Sequence, residues 1–219
     1  MTEHEQRRLD RIVDYVASQH ARSAREDDWH PVFTANYRWE HTQRVAHYGK
    51  LIAEGEGLDV ELGVAACLLH DIAYFFSGSA EDWRDHGRIG AKISRPVLVE
   101  AGFTTEEIGV IAHAIAVHVD GEPDVPHEHT AIADLVSDAD NIDRFNASRV
   151  VLWCMTEHDD LQQMTRMLRE RLERLRGYQA KNPLDTKTGR QLFAKQIDLQ
   201  ITFFEAIIHD AEITALPAL

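Results

Sequence analysis

Val64-Ala65-Ala66-Cys67-Leu68-Leu69-His70-Asp71 is apolar up to Leu69 and then ends on an imidazole and a carboxylate. A helix that is apolar nearly all round is buried. A carboxylate buried with it costs several kcal/mol unless it is neutralised, hydrogen-bonded or bound to a metal. Asp71 therefore needs a cation, and the adjacent imidazole, with the other histidines of the chain, points to a metal ion rather than to Lys or Arg.

Outward from this segment the periodicity is helical, and no run of β-branched residues alternates with polar ones between turn signals, so the expected fold class is all-α. Upstream, Tyr37, His41, Val45, Tyr48 and Ile52 recur at helical spacing on a single stripe, which points His41 inward with the apolar side chains. A first helix is expected from about Glu5 to Ala24, with Leu9, Ile12, Val13, Val16 and Ala17 on one face. A polar stretch broken by Pro31 follows it. Glu54-Gly55-Glu56-Gly57 closes the His41 helix, and Asp59 is the expected N-cap of the next, which should carry His70-Asp71 and end near Gly78.

Downstream, a helix from about Glu81 to Ala101 contains Pro96, expected to break or kink it. Thr104-Thr105-Glu106-Glu107 reads as a capping sequence for an apolar helix that runs to about Val119 with His113 in its middle. Asp120 to His129 reads as a surface loop, and one helix from Ala131 to about Trp153 carries Asp138, Asp140 and Asp143. Two charged amphipathic helices, near Asp159–Tyr178 and Lys187–Glu212, are joined at Asn182-Pro183. This hairpin is expected to pack on the bundle, with a homodimer interface as the alternative use of its apolar residues.

Of the 219 residues, 44% are hydrophobic and 27% charged, which suits a globular chain, and the expectation is one domain over residues 1–219. A net charge of -14 argues against a nucleic-acid polymer or an anionic membrane as partner and leaves a small molecule as the expected one. Met1-Thr2-Glu3-His4-Glu5-Gln6-Arg7-Arg8 has no signal-peptide character, and no apolar stretch approaches ~18 residues, so a cytoplasmic location is expected. Cys67 and Cys154 lie in apolar helical segments and read as small core residues. Histidine is the compositional anomaly: there are 13, several inside apolar segments, and imidazole is both a common metal ligand and the usual acid or base near neutral pH.

The ordered set His41, His70-Asp71, His86, His113 and Asp140 resembles the HD-domain superfamily of metal-dependent phosphohydrolases. His41-Thr42-Gln43-Arg44-Val45 is similar to the opening motif of that family, Leu68-Leu69-His70-Asp71-Ile72 to its signature helix, and Ser137-Asp138-Ala139-Asp140-Asn141-Ile142-Asp143 to its closing motif. The likeness covers about residues 35–150, and the segment of about 157–214, with Thr188-Gly189-Arg190, resembles the C-terminal hairpin of small stand-alone bacterial members. It implies an HD-domain helical bundle in which His41, His70, Asp71 and Asp140 hold a divalent cation. It also implies that His86 and His113 bind either a second ion or the substrate phosphate.

Histidine-rich coordination favours Mn, Fe, Co, Ni or Zn, with Mg less natural. Such an ion polarises a phosphoryl oxygen and lowers the pKa of water, and two ions ~3.5–4 Å apart clamp nucleophile and phosphate together. Asp71 is expected to orient the attacking water while His86, His113 and Arg44 stabilise the phosphoryl oxygens.

Helical geometry sorts the remaining candidates. His113 and His118 lie about 140° apart, so both cannot face one site unless the helix ends between them; His113, deeper in the apolar run, is preferred. Asp138 and Asp140 differ by about 200°, and periodicity does not choose between them. The register of the family selects Asp140. Arg44, one turn from His41, either meets a phosphate or pairs with a carboxylate. His47 is about 120° off the His41 stripe and reads as surface; His127 and His129 fall in the acidic loop.

Tyr74-Phe75 stands where members that hydrolyse the stringent-response nucleotide carry acidic residues, which argues against that substrate. With Phe76 it gives the site an aromatic edge suited to a nucleobase or to ordinary packing. The expected activity is hydrolysis of a phosphomonoester or phosphodiester of a small molecule such as a nucleotide or another phosphate ester. The donor set also resembles the HD-fold di-iron oxygenases, and a non-catalytic metal-containing ligand-binding module is the third reading.

Overall fold

The computed structural model describes residues 1–23, 35–76, 84–119, 130–157 and 161–214. The stretch with Pro31, the Gly78 turn, the loop with His127 and His129, and the side chain of Cys154 lie outside the described residues. Among the described residues the regular structure is helical throughout, as the periodicity predicts. None of these helices is long and apolar enough to cross a membrane. The chain divides into two compact units, Met1–Asp143 and Arg144–Leu219.

The first unit contains α1 (Glu3–Ser23), α2 (Ala35–Glu56), α3 (Val60–Leu69), a 3-10 turn (Ile72–Phe75), α4 (His86–Ala101), α5 (Thr105–Val117) and α6 (Ala131–Arg144), whose last residue falls beyond its boundary. Helix α3 is its axis, packed against α1, α2 and α5, and Ala65, Ala66, Cys67 and Leu69 have no exposed surface. Asp59 caps α3 by accepting the Leu62 amide at 3.0 Å, and Thr104 and Glu107 form a reciprocal capping box at the start of α5. Arg8 of α1 pairs with Glu61 of α3 and with Glu107 at the head of α5, while its guanidinium lies 4.1 Å from the Phe103 ring centroid. This charged node ties three helices together away from the histidines.

Three departures from the expected boundaries bear on the first unit. Helix α3 stops at Leu69, so His70 is its C-cap and Asp71 leads into the 3-10 turn. Helix α4 starts at His86 and runs through Pro96 to Ala101, so the proline does not break it; the missing amide costs one hydrogen bond and the flanking turns carry on. The helix expected from Ala131 to Trp153 is two helices, because Asn146 accepts the Arg149 amide at 2.9 Å and caps a new one.

Glycine sets the closest helix approach. A Cβ on Gly87 would lie 2.8 Å from the Ala116 carbonyl oxygen and 2.9 Å from that of Ile115, so α4 and α5 come together only because position 87 has no side chain.

The second unit contains α7 (Ala147–Glu157), α8 (Leu161–Ala180) and α9 (Lys187–Thr214). Leu168, Leu172 and Leu175 of α8 and Phe193, Ile197, Ile201, Phe204 and Ile208 of α9 are buried, whereas Leu161 at the start of α8 is exposed. Phe145 packs edge-on against Phe193 and Tyr178 at 5.1 and 5.5 Å.

Candidate metal centre

Asp71 lies at the focus of four histidines. Its Oδ2 is 3.4 Å from His41 Nε2 and 3.6 Å from His70 Nε2, while its Oδ1 is 3.3 Å from His86 Nε2 and 3.7 Å from His118 Nε2. Asp140 Oδ1 approaches His41 Nε2 to 3.3 Å. All four imidazoles and Asp71 are buried. Two ligand groups result, His41-His70-Asp71 and Asp71-His86-His118, each with donor atoms close enough together to hold a metal ion. They share one carboxylate.

The ends of the helices aim these rings. His70 and His118 are the C-caps of α3 and α5, and each donates its Nδ1–H to a carbonyl in the last turn of its own helix, Cys67 O and Ile115 O, both at 2.7 Å. The bond satisfies a carbonyl that the helix leaves open and fixes the tautomer, so the bare Nε2 lone pair faces the site. His41 achieves the same orientation by donating Nδ1–H to Asp143 Oδ2 at 2.6 Å. In turn Asp143 accepts Arg44 Nε at 2.6 Å.

The donor chemistry fits a cation. His41 Nε2 and His70 Nε2 are 3.2 Å apart, and both rings have committed their Nδ1 protons elsewhere. Two neutral imidazoles so placed would oppose lone pair to lone pair, which a proton or a metal ion between them relieves. Burial pulls His41 towards its neutral form, but the hydrogen bonds it donates to Asp140, Asp143 and Asp71 outweigh it and raise its pKa well above 6.5. For His70 burial wins, and its pKa is pushed down to about 4. Burial raises Asp71, yet His70, Arg38, His118 and His41 together hold it well below the usual carboxylate range. Asp140 is lowered too, burial being outweighed chiefly by His41.

The structure brings together His41, His70, Asp71, His86 and Asp140 from the sequence-derived set. His113 does not join them: helix α5 ends at Val117, so His118 at the cap swings to Asp71 while half-buried His113, about 140° round the helix, belongs to neither ligand group. The condition under which both could not face one site was a regular helix through residue 118, and that helix stops short. Asp138 is buried on α6 but likewise belongs to neither group. Arg44 pairs with Asp143, the second of its two expected uses.

Two residues without a role in the sequence reading, one of them the Asp143 of the closing motif, complete the centre. Asp143 follows Asp140 by three positions and so shares its helix face. Arg38 precedes His41 by the same spacing; its guanidinium donates to Asp71 Oδ2 at 2.8 Å and lies 3.8 Å from the Tyr74 ring centroid. An arginine therefore does neutralise Asp71, alongside the histidines. The Tyr74 ring is 4.7 Å from that of His86, its hydroxyl 3.4 Å from His86 Nδ1, so the aromatic edge begins at the second ligand group. Phe75 turns to His20 instead, and Phe76 is exposed.

The chain matches the family described as HD domain over residues 38–145. No curated protein matches it. Among solved structures it is similar to a predicted HD superfamily hydrolase from an uncultured Thermotogales bacterium, at 20% identity, 92% of each chain covered and a TM-score of 0.65. It is also similar to Bacillus subtilis YpgQ in complex with ADP, at 20% identity, covering 94% of this chain and 96% of that one, with a TM-score of 0.63. A Lactobacillus plantarum protein aligns at 20% identity over 99% of this chain and 100% of its own, with a TM-score of 0.59. At these identities the structural likeness speaks for the fold. The segment 38–145, which holds His41, His70-Asp71, His86, His118 and Asp140, is an HD domain.

Proposed function

We propose that this protein is a metal-dependent phosphohydrolase that cleaves a phosphomonoester or phosphodiester of a small molecule, with nucleotides as the leading substrate class. The observation that carries the reading is the single carboxylate of Asp71, each oxygen of which faces a pair of imidazole Nε2 atoms. His41, His70, Asp71 and Asp140 are the residues to hold one divalent ion; Asp71, His86 and His118 are placed to hold a second or to meet the phosphate. His118 thus takes the role that the sequence reading gave to His113.

When bound, such an ion supplies Lewis acidity towards a phosphoryl oxygen and lowers the pKa of water. The residues of the chain do the rest. Asp71 Oδ1 is the oxygen placed to accept a proton from attacking water, because it faces His86 and His118, where the phosphate is to be met, whereas Oδ2 faces His41 and His70. The Nδ1 bonds of His41, His70 and His118 hold the imidazoles in one tautomer, so no reorientation is needed when charge develops. The HD domain and the ADP complex of YpgQ support the reading, the latter as a statement about YpgQ.

The test is elemental analysis of the purified protein followed by phosphatase and phosphodiesterase panels with Mn, Fe, Co, Ni, Zn and Mg. Phosphate release that chelator abolishes and that Asp71→Ala lacks is expected. Normal turnover in Asp71→Ala would overturn the mechanism. The shared carboxylate between two ligand groups also suits a pair of irons. Stoichiometric iron with oxygen consumption and no phosphate release would assign the protein to the oxygenase branch instead.

A further inference from the structure

Arg38 is held from two sides. One guanidinium nitrogen donates to Asp71 Oδ2 at 2.8 Å, and the guanidinium carbon sits 3.8 Å from the Tyr74 ring centroid, in the range of a cation–π contact. Its side chain is 18% exposed against 6% for Asp71, so it stands between the ligands and the outside. Tyr74 carries it to the edge occupied by His86, whose ring is 4.7 Å from that of Tyr74. Asp71 Oδ2 is also the oxygen that faces His41 and His70, hence the oxygen an ion held by those two would draw on. A divalent ion and a guanidinium on one carboxylate oxygen compete, and the ion carries the greater charge. The stack on Tyr74 does not depend on Asp71. It keeps the guanidinium plane at the edge whichever acceptor its donors use.

We propose that Arg38 is the anion clamp of this site: metal binding loosens its hold on Asp71, and its N–H donors, aimed by the Tyr74 ring, take the non-bridging oxygens of the phosphate beside His86. This rests on the phosphohydrolase reading and names the residue that would give it selectivity for an anionic substrate. A planar fork of donors matches phosphate oxygens in pairs, which an ammonium does not. The metal-free pairing with Asp71 is then a resting position that neutralises a buried carboxylate.

Inorganic phosphate is the probe, titrated calorimetrically into manganese-loaded protein, with manganese affinity of the metal-free protein measured separately. Arg38→Gln is expected to weaken phosphate by about tenfold or more while manganese binds as well as before or more tightly. Arg38→Lys should fall between wild type and Arg38→Gln. Tyr74→Leu should weaken phosphate more than Tyr74→Phe, which keeps the ring face and loses only the hydroxyl 3.4 Å from His86 Nδ1. Wild-type phosphate affinity in Arg38→Gln overturns the clamp and leaves the hydrolase reading standing. Equal losses of manganese and phosphate in Arg38→Gln also overturn the clamp, since they make Arg38 a support of the metal centre. Manganese-loaded wild type that binds no phosphate overturns both readings together.

Discussion

Asp143 holds His41 by its far nitrogen: Oδ2 accepts the Nδ1 proton at 2.6 Å, and Arg44 pins the other oxygen of the same carboxylate at 2.6 Å. This carboxylate has no exposed side-chain surface and reaches the centre through the imidazole. Asp143→Asn leaves one acceptor oxygen for two donors, His41 Nδ1 and Arg44 Nε, and so loosens the hold on His41. Metal affinity should fall roughly 10–100-fold with the helical circular dichroism signal kept. Calorimetric titration with manganese checks this, and an unchanged Kd would remove Asp143 from the centre.

The two histidines of α5 separate cleanly. His118→Ala removes an imidazole that stands 3.7 Å from Asp71 Oδ1 and should cut turnover by roughly two orders of magnitude. His113→Ala should leave metal content unchanged. If His113→Ala empties the centre while His118→Ala does not, the placement of α5 given above is wrong.

What could be read in the chain beforehand follows from periodicity. The stripe Tyr37-His41-Val45-Tyr48-Ile52 pointed His41 inward, and Tyr37, His41, Val45 and Ile52 are buried. The apolar run to Leu69 announced the buried Asp71. Helix ends were harder, because one residue of difference at a terminus turns a side chain by about 100°. That is how His118 displaced His113. Arg38 and Asp143 stayed hidden for another reason: a charged residue on an amphipathic helix looks solvated until its partner is known. The spacing of three to His41 and to Asp140 was visible, but not which face closed over the other.

Protonation of the metal-free centre gives a pH signature. An unfolded histidine titrates near 6.5, whereas His41 in the fold is raised well above that by its carboxylates. The stability its proton contributes is complete below about pH 6.5 and is lost as pH rises through the folded value, by up to about 1.4 kcal/mol per pH unit. His70, pushed down to about 4, acts in the opposite direction and only between there and about 6.5, where falling pH favours the unfolded chain. Above the ordinary thiol range, about 8.5, the Cys67 thiol, pushed up by burial, adds to the loss; from about pH 6.5 up to that range the slope belongs to His41. The Tm of metal-free protein should decline there, His41→Gln should flatten the decline, and a flat wild-type profile would contradict it.

Two glycines of the bundle should respond oppositely to alanine. Gly87→Ala drives a methyl into the Ala116 and Ile115 carbonyls, which cannot yield without parting α4 from α5, and should cost about 1–3 kcal/mol while displacing His86. Gly109 lies within α5 with open space where its Cβ would be, so Gly109→Ala should gain about 0.5–1 kcal/mol from helix propensity alone. Thermal melts of the two variants decide it; a stabilised Gly87→Ala would mean that the helices are not locked at this crossing.

His70 and His118 each close the last turn of their own helix with one ring nitrogen and offer the other to the centre. The terminal turn is where a helix opens first. Any opening of these two ends withdraws a donor, and any ion seated on the donors holds the ends shut. Loading the centre should therefore slow amide exchange in the closing turns of α3 and α5. The protein carries its own gauge of whether it is loaded, readable without a substrate.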